Sequence, residues 1–277
     1  MAEREKGLTK LDIGIVSDEI SRDLGEALEI AGGWDIHTFE LREGGRGRFP
    51  AFTAEELSIV DHAMQAGARI SAVSPGIFKG HVAEEGDRRR EIESVFPKAI
   101  ELAQRFACET IIAFSFDHCD DSPAHRLLVL RAFEQIAEMA AQANVLVAFE
   151  NEPQFWIDRP EKTVALLEEI GHPALRINWD PANLHWSGQK PDKEAFEILK
   201  PYLINLHVKD FTPEDEEVPW RPLGDGIVPW ETLLPVIAQS GIFQHLTVET
   251  HCEPLIENSA RSIDHLRNLL EKMDVED

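Results

Sequence analysis

Two hydrophobic patterns alternate along the chain. Short apolar runs rich in Val, Ile and Phe fall at 11–16 (LDIGIV), 36–42 (IHTFELR), 69–74 (RISAVS) and 110–116 (TIIAFSF). Four more follow at 145–151 (VLVAFEN), 175–180 (LRINWD), 203–209 (LINLHVK) and 245–250 (HLTVET). Their length and β-branched content predict buried parallel strands. The segments between them repeat with helical period. TAEELSIVDHAMQAG opens with Thr53 and Glu56, a capping box, and ends at Gly67. Leu57, Val60 and Met64 share one face of it. Ser122-Pro123 predicts a second helix start, and Asp158 with Pro160 a third whose helix closes on Gly171. ENSARSIDHLRNLLEKM carries Ile263, Leu266 and Leu270 as a buried stripe.

Eight strand–helix units predict an α/β fold, a single-domain (β/α)8 TIM barrel spanning residues 1–277. A doubly wound open sheet is the structural alternative, but no G-x-G-x-x-G follows the first strand. There is no linker or low-complexity stretch. The segment 211–230 (FTPEDEEVPWRPLGDGIVPW) is too long for a plain connection, and loops of that length are functional or disordered.

Strand residues alternate faces. In the fifth strand Val145, Val147 and Phe149 oppose Leu146, Ala148 and Glu150. In the sixth, Leu175, Ile177 and Trp179 oppose Arg176, Asn178 and Asp180. In the seventh, Ile204, Leu206 and Val208 oppose Asn205, His207 and Lys209. In the eighth, Leu246, Val248 and Thr250 oppose Thr247, Glu249 and His251. One parity is bulky and apolar, suited to packing against helices. The other grows polar toward the strand end. It points Glu150, Asp180, His207 and Glu249 inward at the C-terminal mouth, where such barrels carry their active sites.

Three converging carboxylates repel one another and need compensation. A divalent cation supplies it, and three oxygen donors with one imidazole suit Mn2+ or Mg2+, with Co2+ or Zn2+ as alternatives. The bland alternative is that each residue is solvated at the rim and paired with a Lys or Arg.

Composition narrows the field. The net charge is −24, which repels nucleic acid and anionic membranes. Arg outnumbers Lys 17 to 10, compatible with a salt-tolerant host. Three cysteines (Cys108, Cys119 and Cys252) form no disulfide framework or zinc knuckle, and a reducing cytoplasm is expected. MAEREKGLTK has no apolar core and is not expected to be a signal peptide. No run approaches the ~20 apolar residues of a membrane span.

AFENEP, NWDPAN, LHVKD and TVET, in that order, resemble the strand-end signatures of the xylose-isomerase-like TIM-barrel superfamily, the sugar phosphate isomerase/epimerase group. DIHTFELR and PLGDGIVPW are in keeping, so the resemblance covers nearly the whole chain. It implies a metal held by Glu150, Asp180, His207 and Glu249, with Glu150 and Glu249 also the catalytic acid/base pair. The metal would polarise a substrate carbonyl. One Glu would remove the neighbouring proton to give an enediolate, and the other would return a proton elsewhere.

Two departures stand out. Many relatives have a His three residues after the sixth-strand aspartate, where this chain has Asn183. Asn can bond sugar hydroxyls but cannot shuttle protons. Several dehydratase relatives have a His two residues after the fifth-strand glutamate, where this chain has Glu152, which speaks against a dehydratase that relies on a His base there. The endonuclease IV relatives need additional His ligands, which this chain does not supply.

Glu40 matches a position that lines the pocket in relatives; its alternative is a pair with Arg42. Lys209 is expected either to bind a substrate oxygen or to neutralise the carboxylates. Asn178 and Asn205 would orient the ligands. His185, His251 and Arg221 are either substrate contacts or loop residues facing water. Trp156, Trp186, Trp220 and Trp230 would form aromatic walls or pack a lid. GGRGR (44–48) would be a flexible lid or an anion contact.

The expected function is a metal-dependent isomerase or epimerase of a sugar or related polyhydroxy ketone. A dehydratase on the same scaffold is the first alternative, and an inactive binding barrel the second. The expected partner is a small carbohydrate rather than nucleic acid or membrane, with a homodimer or homotetramer as the assembly options.

Overall fold

The eight apolar runs have too little polar surface to face water on either side, so they assemble as strands wrapped by helices. In the computed structural model, which describes residues 11–118, 120, 122–213 and 220–275, they close into one parallel barrel. The strands are β1 (Asp12–Val16), β2 (Thr38–Leu41), β3 (Arg69–Val73) and β4 (Thr110–Ala113). They continue with β5 (Leu146–Glu150), β6 (Leu175–Trp179), β7 (Leu203–Val208) and β8 (His245–Val248). β8 returns to β1, with Asp12 opposite His245 and Ile15 opposite Val248.

The outward parity forms the core. Val147, Phe149, Ile177, Trp179, Leu206, Val208, Leu246 and Val248 are all buried. They join side chains such as Phe133 and Ile136 of the helix Pro123–Ala143 in one apolar cluster. Ala72, Ile112 and Ala148 form a separate small cluster, and Ile204 packs against it. Ile204 thus departs from the outward set to which simple alternation assigns it. The cause is a bulge: Ile177 pairs with Leu203, but the next residue, Asn178, pairs with Asn205. The extra residue shifts the parity by one, so Ile204 and Asn205 both belong to the inner set.

Local signals act largely as written. Thr53 and Glu56 form both bonds of the capping box. Ser122 caps the helix that Pro123 begins, and Gly171 ends another at a φ of 65°. Asp158 does not cap its helix. Pro160 is the first helical residue, so Arg159 holds the cap position without a side-chain bond, and Asp158 lies one residue too early.

The long segment after β7 is tied down by one carboxylate. Asp210 accepts from the backbone N–H groups of Phe211, Gly224, Gly226 and Val228 at 3.0–3.2 Å. A Cβ on Gly226 would lie 2.2 Å from Asp210 Oδ1, so only glycine permits this approach. Asp210–Phe211 and Trp220–Arg221 pair as a short antiparallel ribbon. Residues 214–219 of this loop, the N-terminal ten and Cys119 lie outside the described residues; Cys108 and Cys252 are free and buried. No helix among the described residues is long and apolar enough to cross a membrane.

His245 opens β8, and its Nε2 has no hydrogen-bond partner. Burial first, then Arg69 and His207, push its pKa from 6.5 down to about 4. The unfolded chain therefore binds this proton before the folded one does. The resulting stability is present above pH 6.5 and is lost as pH falls toward 4. Replacing it, His245→Gln, is expected to shrink the loss of unfolding free energy between pH 7 and pH 4.5 by about 2 kcal/mol. An unchanged difference in urea unfolding at the two pH values contradicts this account.

Candidate active site

Period two along the strands brings four side chains to the C-terminal mouth. Glu150 ends β5, Asp180 and Glu249 directly follow β6 and β8, and His207 lies on β7. All four are buried, and one ligand atom from each lies within 4.8 Å of the others. His207 Nε2 is 2.9 Å from Glu40 Oε2, so the ring donates there and turns Nδ1 toward Glu249 Oε2 at 3.3 Å and Glu150 Oε2 at 3.7 Å. Such a carboxylate behind a histidine fixes the tautomer that a metal ligand needs.

Asp180 divides its two oxygens. Its Oδ1 accepts from Asn183 N–H at 2.8 Å and caps the short helix Pro181–Trp186, whose first residue is the proline. Its Oδ2 has no partner in hydrogen-bond geometry, although Lys209 Nζ is 2.9 Å away and supplies charge. Asn151 clamps the turn, accepting from Asp180 N–H at 2.8 Å and donating to its carbonyl at 2.9 Å. Lys209 also donates to Glu249 Oε2 at 3.0 Å, and the Trp220 ring covers its ammonium at 4.4 Å.

A second cation lies beside the first. Arg42 donates to Glu249 Oε1 and Glu19 Oε1 at 2.6 Å each, and to both oxygens of Asp18 at 2.8–3.2 Å. His251 adds contacts of 2.7 Å to Glu19 Oε1 and 3.3 Å to Glu249 Oε1. Glu19, Glu249 and His251 are also close enough to hold an ion, but Arg42 already bonds both carboxylates. Asp18, Glu19 and Arg42 went unrecognised as site residues in the sequence. Arg42 has the same parity as Glu40, so strand alternation applied to β2 could have found it. It does not pair with Glu40, which turns to His207 instead.

The charges follow from these contacts. Burial pushes Glu249 up, but Lys209, His251 and His207 outweigh it and hold the carboxyl well below its usual range. Burial and Glu249 likewise raise Glu150, yet His207 and Lys209 bring it below the usual value. Burial wins at Asp180, which rises despite Lys209. Burial and Glu150 raise Glu152. Burial opposes the protonated form of His251, but Glu249 and Glu19 lift it to about 9.

The remaining candidates separate into two groups. Glu40, Glu150 and Glu249 line a cavity of about 660 Å³ together with Arg42, Glu152 and His251. Asn183 is buried behind the wall, its amide donating to Glu150 Oε1 at 3.3 Å and to the Asn151 carbonyl at 3.0 Å. Asn178 and Asn205 bond each other, with Asn178 reaching Glu150 Oε2 and Asn205 reaching Glu40. His185 stands beside Phe211, and Arg221 bonds the Trp220 carbonyl; neither lines the cavity. Trp230 is buried and donates to the Lys209 carbonyl, Trp186 packs on Trp220, and Trp156 lies edge-on to His118.

The donor set fits a divalent cation. Three carboxylates and an oriented imidazole converge, and the buried Asp180 Oδ2 lacks a hydrogen bond. The same set, with two glutamates flanking one point, can move protons to and from a bound molecule.

Comparisons with known proteins agree with this architecture. The family described as "Xylose isomerase-like TIM barrel" matches residues 28–269. A 3-dehydroshikimate dehydratase of Bacillus anthracis is 30% identical over 136 residues, 48% of each chain, so the match spans about half the length of that curated relative. The solved structure of a probable 3-DHS dehydratase from Bacillus anthracis superposes with a TM-score of 0.78 at 19% identity, covering 93% of this chain and 99% of that one. A D-tagatose 3-epimerase-like protein superposes with a TM-score of 0.80 at 17% identity, covering 96% and 99%.

Removing Arg42 would leave Asp18 buried without its cation, Glu19 with His251 alone, and Glu249 with only His251, His207 and Lys209. Breaking a buried pair in this way costs about 3–5 kcal/mol. Arg42→Met is therefore expected to lower the unfolding free energy by that order in guanidinium titration. A loss below about 1 kcal/mol would show that the network contributes little.

Proposed function

Because the chain belongs to the xylose isomerase-like TIM-barrel family, we propose that it is a metal-dependent isomerase or epimerase of a polyhydroxy ketone. The observation that carries this reading is the convergence of Glu150, Asp180, His207 and Glu249 within 4.8 Å at the mouth. A divalent ion held by these four residues would supply Lewis-acid polarisation of the substrate carbonyl.

The chain's own groups do the proton work. Glu150 and Glu249 stand on β5 and just beyond β8, and their lowered pKa values keep both ionised at neutral pH, the state a base requires. One carboxylate takes the proton from the carbon beside the carbonyl. The C–H electrons become the double bond of an enediolate, and the carbonyl oxygen takes up the negative charge. The other first takes up a proton from water. For isomerisation it delivers this proton to the neighbouring carbon, with the adjacent hydroxyl proton passing to the former carbonyl oxygen. For epimerisation it delivers it to the opposite face of the same carbon. The first carboxyl then releases its proton to water. Asn178 and Asn183 hold Glu150 in place, Arg42 and Lys209 hold Glu249, and Glu40 orients His207.

A dehydratase is the second reading, favoured by the Bacillus anthracis relative and by Glu152. This carboxyl lines the same cavity, and burial beside Glu150 keeps it protonated to higher pH than usual. After the same proton abstraction, Glu152 could give its proton to a departing hydroxyl two carbons from the carbonyl carbon, releasing water. An inactive binding barrel would perform neither step.

In D2O, an isomerase or epimerase washes deuterium into the carbon beside the carbonyl, whereas a dehydratase produces an enone absorbance. Glu249→Gln is expected to lower either activity by at least about 100-fold, the usual contribution of a general acid or base, with the fold retained. Undiminished turnover removes Glu249 from the chemistry.

Chelation followed by elemental analysis tests the ion. One divalent ion per chain is expected. Saturation at about 100 times its dissociation constant should stabilise the fold by about 2.7 kcal/mol, read as a rise in melting temperature on adding Mn2+ or Mg2+ back. No stoichiometric ion after soaking rules out the metal.

A further inference from the structure

The cavity that Glu150 and Glu249 line also carries four arginine and lysine side chains: Arg22, Arg42, Arg48 and Lys79. Three have carboxylate partners. Arg22 faces Glu43 at 3.2 Å, Arg42 holds Asp18, Glu19 and Glu249, and Lys79 stands 3.5 Å from Glu152 Oε1. Arg48 has none among the described residues. It donates from Nε to the Ser74 carbonyl at 3.1 Å and from Nη2 to Ser74 Oγ at 2.8 Å. A guanidinium has five N–H donors, so the outer Nη1–Nη2 fork remains available.

Leaving this charge without an acid is unexpected in a chain with 51 acidic and 27 basic residues. Burial, with Arg42 nearby, pulls the Arg48 pKa down, although Glu150, Asp18 and Glu249 across the cavity partly offset it. The fold nevertheless makes room for it. Gly76 has a φ of 70°, and a Cβ there would lie 2.3 Å from Arg48 Nε and 2.9 Å from Cζ. The Phe114 ring steadies two cations at once, with Lys79 Nζ 3.8 Å and Arg48 Cζ 5.7 Å from its centroid. GGRGR at 44–48, open in the sequence between a lid and an anion contact, therefore ends in a side chain folded into the cavity.

We propose that the substrate carries a carboxylate, bound by the free fork of Arg48 and by Lys79 beside Phe114. The planar fork matches a carboxylate's two oxygens. With Glu152 ionised, two cations against its single carboxylate leave about one positive charge to satisfy, which suits a monoanion better than a phosphate dianion. The proposal rests on the reading of the barrel mouth as an active site, and it narrows the substrate to a polyhydroxy keto acid.

Binding tests this without turnover. Shikimate is a trihydroxy carboxylate with no ketone to enolise, and its methyl ester lacks the charge. Calorimetry on the Mg2+-loaded protein should find the acid bound on the order of tenfold more tightly than the ester, the effect of one charged hydrogen-bonded pair. Arg48→Ala and Lys79→Ala should each reduce that ratio, and Arg48→Lys should restore it only in part. Circular dichroism checks that each variant is folded. A ratio near one in the parent protein, a ratio unchanged in Arg48→Ala, or failure to bind the acid overturns the proposal. So does tighter, Arg48-dependent binding of shikimate 3-phosphate than of shikimate. If instead the isomerase and dehydratase readings fail, deuterium exchange and enone formation are absent while the acid-to-ester ratio stands.

Discussion

The structure depends on compensating negative charge inside a barrel mouth. Asp18, Glu19, Glu40, Glu150, Asp180 and Glu249 are each at most 8% exposed. An ionised carboxylate in such surroundings is stable only with a cation or several hydrogen bonds. Lys209 and Arg42 provide the fixed charge, and His207 and His251 extend it. The four asparagines around them carry no charge: Asn178 and Asn183 donate to Glu150, Asn205 donates to Glu40, and Asn151 clamps the backbone of Asp180. Asn151, Asn178, Asn183 and Asn205 therefore belong to the same electrostatic problem as the acids. The Trp220 roof over Lys209 excludes water from one face of its ammonium, which strengthens the pairing beneath.

This constraint explains the loop as well as the strands. Lys209 can serve the cluster only if the chain turns sharply after β7. Asp210, the next residue, gathers four backbone N–H groups from the returning segment and fixes that turn. The same segment brings Trp230 to the Lys209 carbonyl and Trp220 over its ammonium. One short run of sequence, LHVKD, thus supplies an imidazole, an internal cation and the anchor of the longest loop.

Much of this was legible because strand alternation is a local rule. The spacing alone brings Glu150, Asp180, His207 and Glu249 to one face, and the structure brings them together. The rule failed at Ile204, where a bulge inserts a residue that no composition signal marks. Arg42 shares its parity with Glu40 but lies one residue beyond β2, outside the four strands whose alternation marks the cluster. Asn183 was expected at the substrate but is the third residue of a helix capped by Asp180, which turns its amide back to Glu150. His185 and Arg221 lie on connections whose paths depend on long-range packing. Gly76 and Arg48 illustrate the same limit: 28 residues separate them, and only the folded barrel shows that one makes room for the other.

The two halves of the cavity give it a direction. Carboxylates dominate where β5 to β8 end, and a guanidinium with no carboxylate partner among the described residues lies on the side built by the hairpin after β2 and the turn after β3. A neutral sugar would leave the Arg48 guanidinium without a carboxylate partner among the described residues. A molecule with a carbonyl at one end and a carboxylate at the other would satisfy both halves and bind in a single orientation. That orientation would present its enolisable carbon to Glu150 and Glu249, which is where positioning contributes most to proton transfer. Arg48, which touches no acid among the described residues in the free protein, would then set which carbon reacts.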